Sequence, residues 1–376
     1  MIQKQRLITL AQQLIRIDSQ NPPGDEYAIA CFIKAALKRF GLASKIVTFK
    51  KRRANIVAVI PGKNTAHSLL ITPHLDTVPA GKRWKYPPLA AHIRGGRLYG
   101  LGSTDCKCNL ACSIEVLNSL LEEKVTLPFT LMFAATADEE SGSLLGLEPL
   151  LDKGVIRPTQ ALVLDADDFS IIVAQKGLLH LKVKLQGKRA HGAYPWLGEN
   201  AIDAAMNIML DLKKHPLAFK SHRYLKPPTI NCGTIQGGDK VNVVADWCEF
   251  ELDFRFLPGE RAQTIIQNLK RTIQRHCASF SIEIEGTQKP FSIAVDHPLV
   301  STLTSAFRSV GAKPRIKGSE GATTISFFQE RHIPAVATGF GCEGCAHMAD
   351  EYVTIDNLYK GARALESFLH QYRIFA

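Results

Sequence analysis

TLPFTLMFAAT (126–136) runs directly into ADEESGS (137–143). The first segment is apolar over the length of a strand, and its Phe, Leu and Thr side chains suit a buried pleated surface. The second segment leaves that strand and sets two carboxylates, Glu139 and Glu140, on neighbouring residues. Like charges at that spacing repel, and neither helps the other fold. Strand ends are often polar and acidic residues are common in turns, so this stretch alone says only that a buried strand ends here.

Working outward, helix-like and strand-like segments alternate. EYAIACFIKAALKRF (26–40) has the apolar spacing of an amphipathic helix and stops at Gly41. NIVAVIPG (55–62) and SLLITPHLD (68–76) read as strands bounded by Pro and Gly. NLACSIEVLNSLLEE (109–123) reads as a helix, SLLGLEPLLDKG (143–154) as another, and ALVLDAD (161–167) as a strand. Such alternation predicts an α/β fold with helices on both faces of a mixed sheet. Around residue 177 the order becomes β-α-β-β-α-β, from LLHLKVKLQG (178–187) to SIEIEG (281–286), which is the ferredoxin-like α+β pattern. The reading is of one domain formed by residues 1–176 and 289–376, interrupted by an inserted domain at 177–288.

Composition narrows the function classes. The chain has 376 residues, 45% hydrophobic and 22% charged, an ordinary globular mixture. At the N-terminus Leu7, Leu10 and Leu14 are interrupted by polar residues, unlike the apolar core of a signal peptide. No apolar run approaches the roughly 20 residues of a membrane span, so a cytoplasmic protein without membrane association is expected. The net charge is +11, but the basic residues are scattered, with short clusters such as KKRR (50–53). No nucleic-acid motif accompanies them, and a field that favours small anionic substrates is the reading adopted. Nine cysteines in a chain of this size argue for free thiols rather than a disulfide framework. Cys106 with Cys108, and Cys342 with Cys345, form two close pairs expected to lie near one another.

In open α/β sheets ligands bind beyond the carboxyl ends of the strands. His74 and Asp76 follow one strand, Glu139 and Glu140 another, and Asp165 a third. Asp105 stands in GLGSTDCK (100–107), and IPAVATGFGCEGCAHMADEY (333–352) runs from a strand through glycines to His347. Singly these are turn formers or surface residues. Together they deliver two imidazoles and several carboxylates to one edge, which suits zinc or a similar divalent ion. The surplus of carboxylates suggests two ions sharing a bridging Asp.

The motifs HLDTVPAG, GSTDCKCNLA, ADEESGS, AHGAYPWLGENAI, ELDFRFLPGE and AHMADEYV, in this order, resemble a family of zinc-dependent amidohydrolases and peptidases. It includes acetylornithine deacetylase, succinyl-diaminopimelate desuccinylase, aminoacylase-1 and carboxypeptidase G2. The resemblance spans nearly the whole chain. It implies a metallopeptidase-type catalytic domain, with the inserted domain as a lid and dimerisation domain. It implies that His74 and Asp165 bind one metal, that Glu140 and His347 bind the other, and that Asp105 bridges both. It gives Asp76 the task of orienting His74 through its second ring nitrogen. Glu139 becomes the general base, free to take a proton from the attacking water while Glu140 neutralises an ion. His191 is expected to cross into the partner subunit's site as an oxyanion donor, making the protein a homodimer. Arg255 is expected to grip a substrate carboxylate, with Asn242 assisting.

The ions implied are two divalent cations, zinc first, with cobalt or manganese as alternatives. The reaction implied is hydrolysis of the amide bond of a small N-acyl amino acid. A dipeptidase or glutamate-type carboxypeptidase on the same site is the alternative, and a non-catalytic binding protein a lower one. Relatives usually carry Gly where this chain has Cys108, often Arg or Gly at Leu101, and a Thr-Asp-Ala type loop where it has Glu320 and Gly321.

Overall fold

In the computed structural model, which describes residues 1–215 and 219–374, two units are distinct: 1–173 with 293–317 and 323–376, and 174–292 with 318–322.

The first unit opens with helices α1 (Lys4–Arg16) and α2 (Tyr27–Arg39). Strands β1 (Ser44–Lys50), β2 (Arg53–Ile60) and β3 (Asn64–Thr72) follow, then the short β4 (His92–Arg94) and β5 (Arg97–Tyr99). Next come α3 (Lys107–Glu122), β6 (Phe129–Ala135), α4 (Leu147–Asp152), β7 (Gln160–Leu164) and β8 (Ser170–Gln175). The main sheet runs β1-β2-β6-β3-β7, and its next strands are β15 (Ala335–Thr338) and then β8. Strand β3 is parallel to β6 and β7, and β15 is parallel to β7; the flanking pairs are antiparallel. Residues of β2, β6, β7 and β8 are buried in near-continuous runs, as expected of strands covered on both faces. Helix α3 is buried from Lys107 to Leu120, and it packs against α1 and the last helix, α9 (Ile355–Gln371).

The consequence for function is geometric. The four parallel strands β6, β3, β7 and β15 end on the same edge, so the residues after each arrive together. A separate small sheet pairs β16 (Tyr352–Thr354) with β5 and β5 with β4. It brings the chain just after residue 347 alongside the loop leading to Asp105.

The second unit contains β9 (Gly177–Gln186), α5 (Ala201–Lys214), β10 (Thr229–Gly237), β11 (Trp247–Phe256), α6 (Ala262–Gln274) and β12 (Ser279–Gln288). Its sheet order is β10-β11-β9-β12, all antiparallel, the ferredoxin-like arrangement. Period-two alternation turns Leu179, Leu181 and Val183 of β9 and Phe250, Leu252 and Phe254 of β11 inward. They meet Ile208 and Leu212 of α5 and Ile265, Leu269 and Ile273 of α6. Asn200 caps α5 by accepting from the Ile202 and Asp203 amides at 2.9 and 3.3 Å, a bond worth about 1 kcal/mol. The opposite face carries cross-strand charges such as Lys182 with Glu249 and Glu251. A short strand, β13 (Phe291–Ser292), closes the unit against the end of β8.

Helix α7 (Pro298–Ser309), β14 (Arg315–Ser319) and α8 (Ile325–Glu330) precede β15. The Gly318–Ala322 loop, read from sequence as part of the catalytic domain, groups with the second unit. Glu320 explains this: it pairs with buried Lys176 at 2.6 Å and accepts the Lys226 amide at 2.9 Å. Among the described residues no helix is long and apolar enough to cross a membrane. All nine cysteines are free thiols.

Phe250 is fully buried beneath both helices of the second unit. Phe250→Ala is expected to destabilise that unit by about 3–5 kcal/mol in urea unfolding, through lost burial and the cavity left behind.

Candidate metal centre

His74 follows β3 and is pinned to the neighbouring strand end: the Leu75 amide donates to the Thr136 carbonyl at 2.7 Å, and the Thr136 amide to Pro73 at 3.1 Å. Glu139 and Glu140 form a single 3-10 turn just beyond β6. Asp165 follows β7. Asp105 closes the loop before α3, and His347 lies in the loop between β15 and β16.

These side chains meet. His74 Nε2 is 2.8 Å from Asp105 Oδ1 and 3.7 Å from Asp165 Oδ1. His347 Nε2 is 3.2 Å from Asp105 Oδ2 and 3.3 Å from Glu140 Oε2. The two oxygens of Asp105 thus face two different imidazoles. Asp105, Glu140 and His347 have ligand atoms all within 4.8 Å of one another, and so do His74, Asp105 and Cys106. Cys106 was not singled out as a ligand by the sequence; its sulfur accepts the His74 amide at 3.2 Å.

Electrostatics follow from crowding. Burial disfavours charge on His74, but the field of Cys106 and hydrogen bonds to Asp105, Asp165 and Asp76 hold its imidazole well above its ordinary value. Hydrogen bonds to Asp105 and Glu140 push His347 up to about 10. Burial would raise Asp105, yet bonds to His347 and His74 keep it well below the usual carboxylate range. Burial, and then the charge on Asp165, pushes Glu139 well above the usual glutamate value. Glu140 is also raised by burial, despite its bond to His347.

The residues fit divalent ions. The Nε2 atoms of His74 and His347 face carboxylate oxygens of Asp105 and Glu140, a donor set that a cation could share. Glu140 Oε1 is buried with no hydrogen-bond partner among the described residues, an acceptor directed at nothing the chain supplies. Nitrogen and oxygen donors in this mixture are those of zinc-type centres.

His74 Nδ1 bonds to the backbone carbonyl of Asp76 at 2.9 Å, while the Asp76 carboxylate lies 3.6 Å away. That carboxylate accepts the amides of Glu139 at 3.1 Å and Glu140 at 3.2 Å instead. Asp76 therefore fixes the turn with its carboxylate and holds the histidine's second nitrogen with its carbonyl.

Glu351, four residues after His347, escaped the sequence reading. It is buried and accepts the amides of Gly102, Thr104 and Asp105 at 2.9, 2.7 and 2.9 Å. Burial raises this acid to about 7 against the pull of those amides. It welds the His347 segment to the Asp105 loop. The only available signal was its place in AHMADEYV. The Cys342 amide donates to Thr104 Oγ1 at 3.1 Å, so the segments carrying the two cysteine pairs touch.

His191, Asn242 and Arg255 lie in the second unit. The Gly192 amide donates to the Asn242 carbonyl at 2.8 Å, which sets His191 and Asn242 side by side. His191 is exposed, and its Nδ1 accepts the Ala193 amide at 3.0 Å, so its Nε2 carries the proton outward. Arg255 is on β11, forked onto Asp253 at 2.8 and 3.0 Å.

A family model described as Peptidase family M20/M25/M40 matches residues 70–371. A Staphylococcus aureus protein named "Probable succinyl-diaminopimelate desuccinylase" is 28% identical over 389 residues, covering 94% of each chain. An acetylornithine deacetylase from Edwardsiella ictaluri is 30% identical over 319 residues, covering 82% of this chain and 81% of that protein. Among solved structures, aminopeptidase PepT from Bacillus cereus superposes with a TM-score of 0.82 at 23% identity, covering 98% of both chains, a likeness of fold.

Asp105→Ala is expected to strip metal from both positions, whereas His347→Ala should remove one ion and leave the other. Elemental analysis after gel filtration distinguishes the two outcomes.

Proposed function

The chain belongs to peptidase family M20/M25/M40 and is a metal-dependent hydrolase of amide bonds; on that premise we propose a two-metal deacylase that cleaves small N-acyl amino acids. The observation that carries this reading is the divergence of the adjacent pair: Glu140 Oε2 lies 3.3 Å from His347 Nε2, while burial, and then the charge of Asp165, raises the proton affinity of Glu139. Two neighbouring glutamates with different surroundings suit two different jobs.

On this reading His74 and Asp165 hold one ion, His347 and Glu140 the other, and Asp105 both. Zinc is the proposed metal. Two bound ions supply Lewis acidity, which activates water near neutral pH and stabilises negative charge on the amide oxygen. Glu139 accepts the proton of the attacking water and returns it to the departing nitrogen, a task its raised pKa favours. Asp76 keeps the backbone of the turn fixed, so that this carboxylate does not swing away.

The second unit supports a homodimer. Arg255 pairs with Leu178 at one end of the β9–β11 ladder, and Trp247 with Gln186 at the other. Eight residues of strand separate those ends by about 27 Å, and His191 lies beyond the second. One small substrate cannot touch both from a single unit. If Arg255 grips the substrate carboxylate and His191 donates to the oxyanion, two chains serve one site. The names of the two curated relatives favour removal of an acetyl or succinyl group. Free thiols suit a reducing cytoplasm.

A panel of N-acetyl, N-succinyl and dipeptide substrates, with Zn²⁺, Co²⁺ or Mn²⁺ added, tests the assignment; turnover of dipeptides alone would replace deacylase by peptidase. Glu139→Gln is expected to keep both ions and lose at least about 10²-fold in kcat. Mixing it with His191→Ala should restore part of the activity after subunit exchange. One site of the mixed dimer then carries both defects and the other neither. A mixture that stays inactive would show that His191 serves its own chain.

A further inference from the structure

KKRR (50–53) reads as surface charge, yet its last arginine is only 8% exposed. Arg53 opens β2 and turns inward. Its Nε lies 2.8 Å from Glu26 Oε2 and its Nη2 2.8 Å from Glu26 Oε1, a forked pair. The same Nη2 donates to Asp138 Oδ1 at 2.7 Å. Glu26 is fully buried and Asp138 is 5% exposed. Gly24 leaves room for the guanidinium: a Cβ there would sit 2.4 Å from Arg53 Cζ, and its φ of +78° is one that glycine adopts freely.

The cluster ends at the catalytic turn. Asp138 immediately precedes Glu139 and holds a left-handed φ of 65°. Its Oδ2 accepts the Leu145 amide at 3.1 Å and its carbonyl the Ser143 amide at 2.6 Å, closing the loop on itself. Asn21 Nδ2 donates to Asp76 Oδ2 at 2.9 Å and lies 3.4 Å from Asp138 Oδ1, joining the two carboxylates that clamp the turn. Asn55, two residues along β2, accepts the Ala137 amide at 2.9 Å and donates to the Leu145 carbonyl at 3.0 Å. One strand, β2, therefore grips both ends of ADEESGS.

Buried ion clusters of this kind are often no more stabilising than apolar residues of the same size. Fold stability alone is a weak reason for three charges here. We propose that Arg53, anchored by Glu26, is a positioning residue of the reaction: by holding Asp138 it fixes the directions in which Glu139 and Glu140 leave the turn. The inference rests on the roles assigned above to those two glutamates. Its signature is selective. The turn carries Glu140 but not His74, Asp105 or Asp165. Loosening it should therefore weaken the ion between Glu140 and His347 and misplace the base, while the ion at His74 stays.

The test uses the full chain loaded with Zn²⁺, with Arg53→Met, Arg53→Lys and Glu26→Gln compared with wild type. Arg53→Met is expected to retain its circular dichroism spectrum, to fall from two bound ions towards one, and to lose about 10–100-fold in kcat, as loss of ligand-supporting contacts does. KM should change less than kcat, and Arg53→Lys should recover part of the loss. Asp138→Asn should cost much less in the Arg53→Met background than in wild type, since the two act as one unit. Should Arg53→Met fail to fold, Glu26→Gln, which keeps the arginine but weakens its anchor, is read by the same metal and kcat measurements. A folded Arg53→Met or Glu26→Gln that keeps two ions and wild-type kcat overturns the proposal. So does full additivity with Asp138→Asn. A wild type that saturates at one ion would instead overturn the two-metal reading, a failure visible without any Arg53 variant.

Discussion

Repulsion among carboxylates is the constraint on which the rest of this structure depends. Asp105, Glu139, Glu140 and Asp165 converge at one sheet edge, where a pair of like charges 4 Å apart costs about 4 kcal/mol at an effective dielectric of 20. The chain answers with two imidazoles, and Asp105 faces both, one with each oxygen. Other acids nearby are satisfied differently: Asp76 largely by backbone amides, Asp138 by Arg53, Glu351 by three amides of one loop. The carboxylates not satisfied by amides or arginine are therefore those gathered around the two histidines. A metal centre requires that kind of localisation, because a cation must find more stabilisation there than at the neighbouring acids.

The sheet makes this convergence possible. Strands β3, β6, β7 and β15 are parallel neighbours, so their C-terminal residues arrive at one edge from segments as far apart in the chain as Thr72 and Thr338. An antiparallel sheet would send alternate strand ends to opposite edges. The price of such topology is that local sequence cannot hold the site together. Long-range contacts do so: β16 on β5, Glu351 on the Asp105 loop, and β2 on the loop after β6.

This division explains what could be read from sequence. Strand alternation, the β-α-β-β-α-β insertion and the run of polar residues at strand ends are local patterns, and the fold class followed from them. The convergence of His74, Glu140 and Asp165 was legible because strand ends of a parallel sheet share an edge, whereas Asp105 and His347 reach it on longer loops. Spacing says which residue follows a strand, but not which of its atoms meets which partner. So the sequence paired Asp76 with the second nitrogen of His74, and only the structure shows that the backbone carbonyl makes the 2.9 Å bond. Partners far along the chain were invisible altogether. Arg53 looked like one more surface charge, and Glu351 like one more acid after a histidine, because Asp138 and the Asp105 loop lie 85 and 246 residues away from them. Glu320 was read as a departure in a substrate loop, and in the structure it neutralises a lysine that is almost wholly buried.

The Arg255–Asp253 fork bears on how such a site would choose its substrate. The two residues are two apart on β11 and share a face, so Asp253 occupies the Nε and Nη2 edge of the guanidinium. That uses two of five donors and fixes the plane of the group. On the proposed reading, a substrate carboxylate at the remaining edge would meet an arginine already oriented, and would lose less entropy in forming its bonds than with a free side chain. Asp253 would also lower the net charge met by such a substrate, so that its recognition would depend on geometry more than on long-range attraction. On the proposed reading, the +11 charge of the chain gathers anions in general, while the fork admits those whose carboxylate lies in the plane it sets.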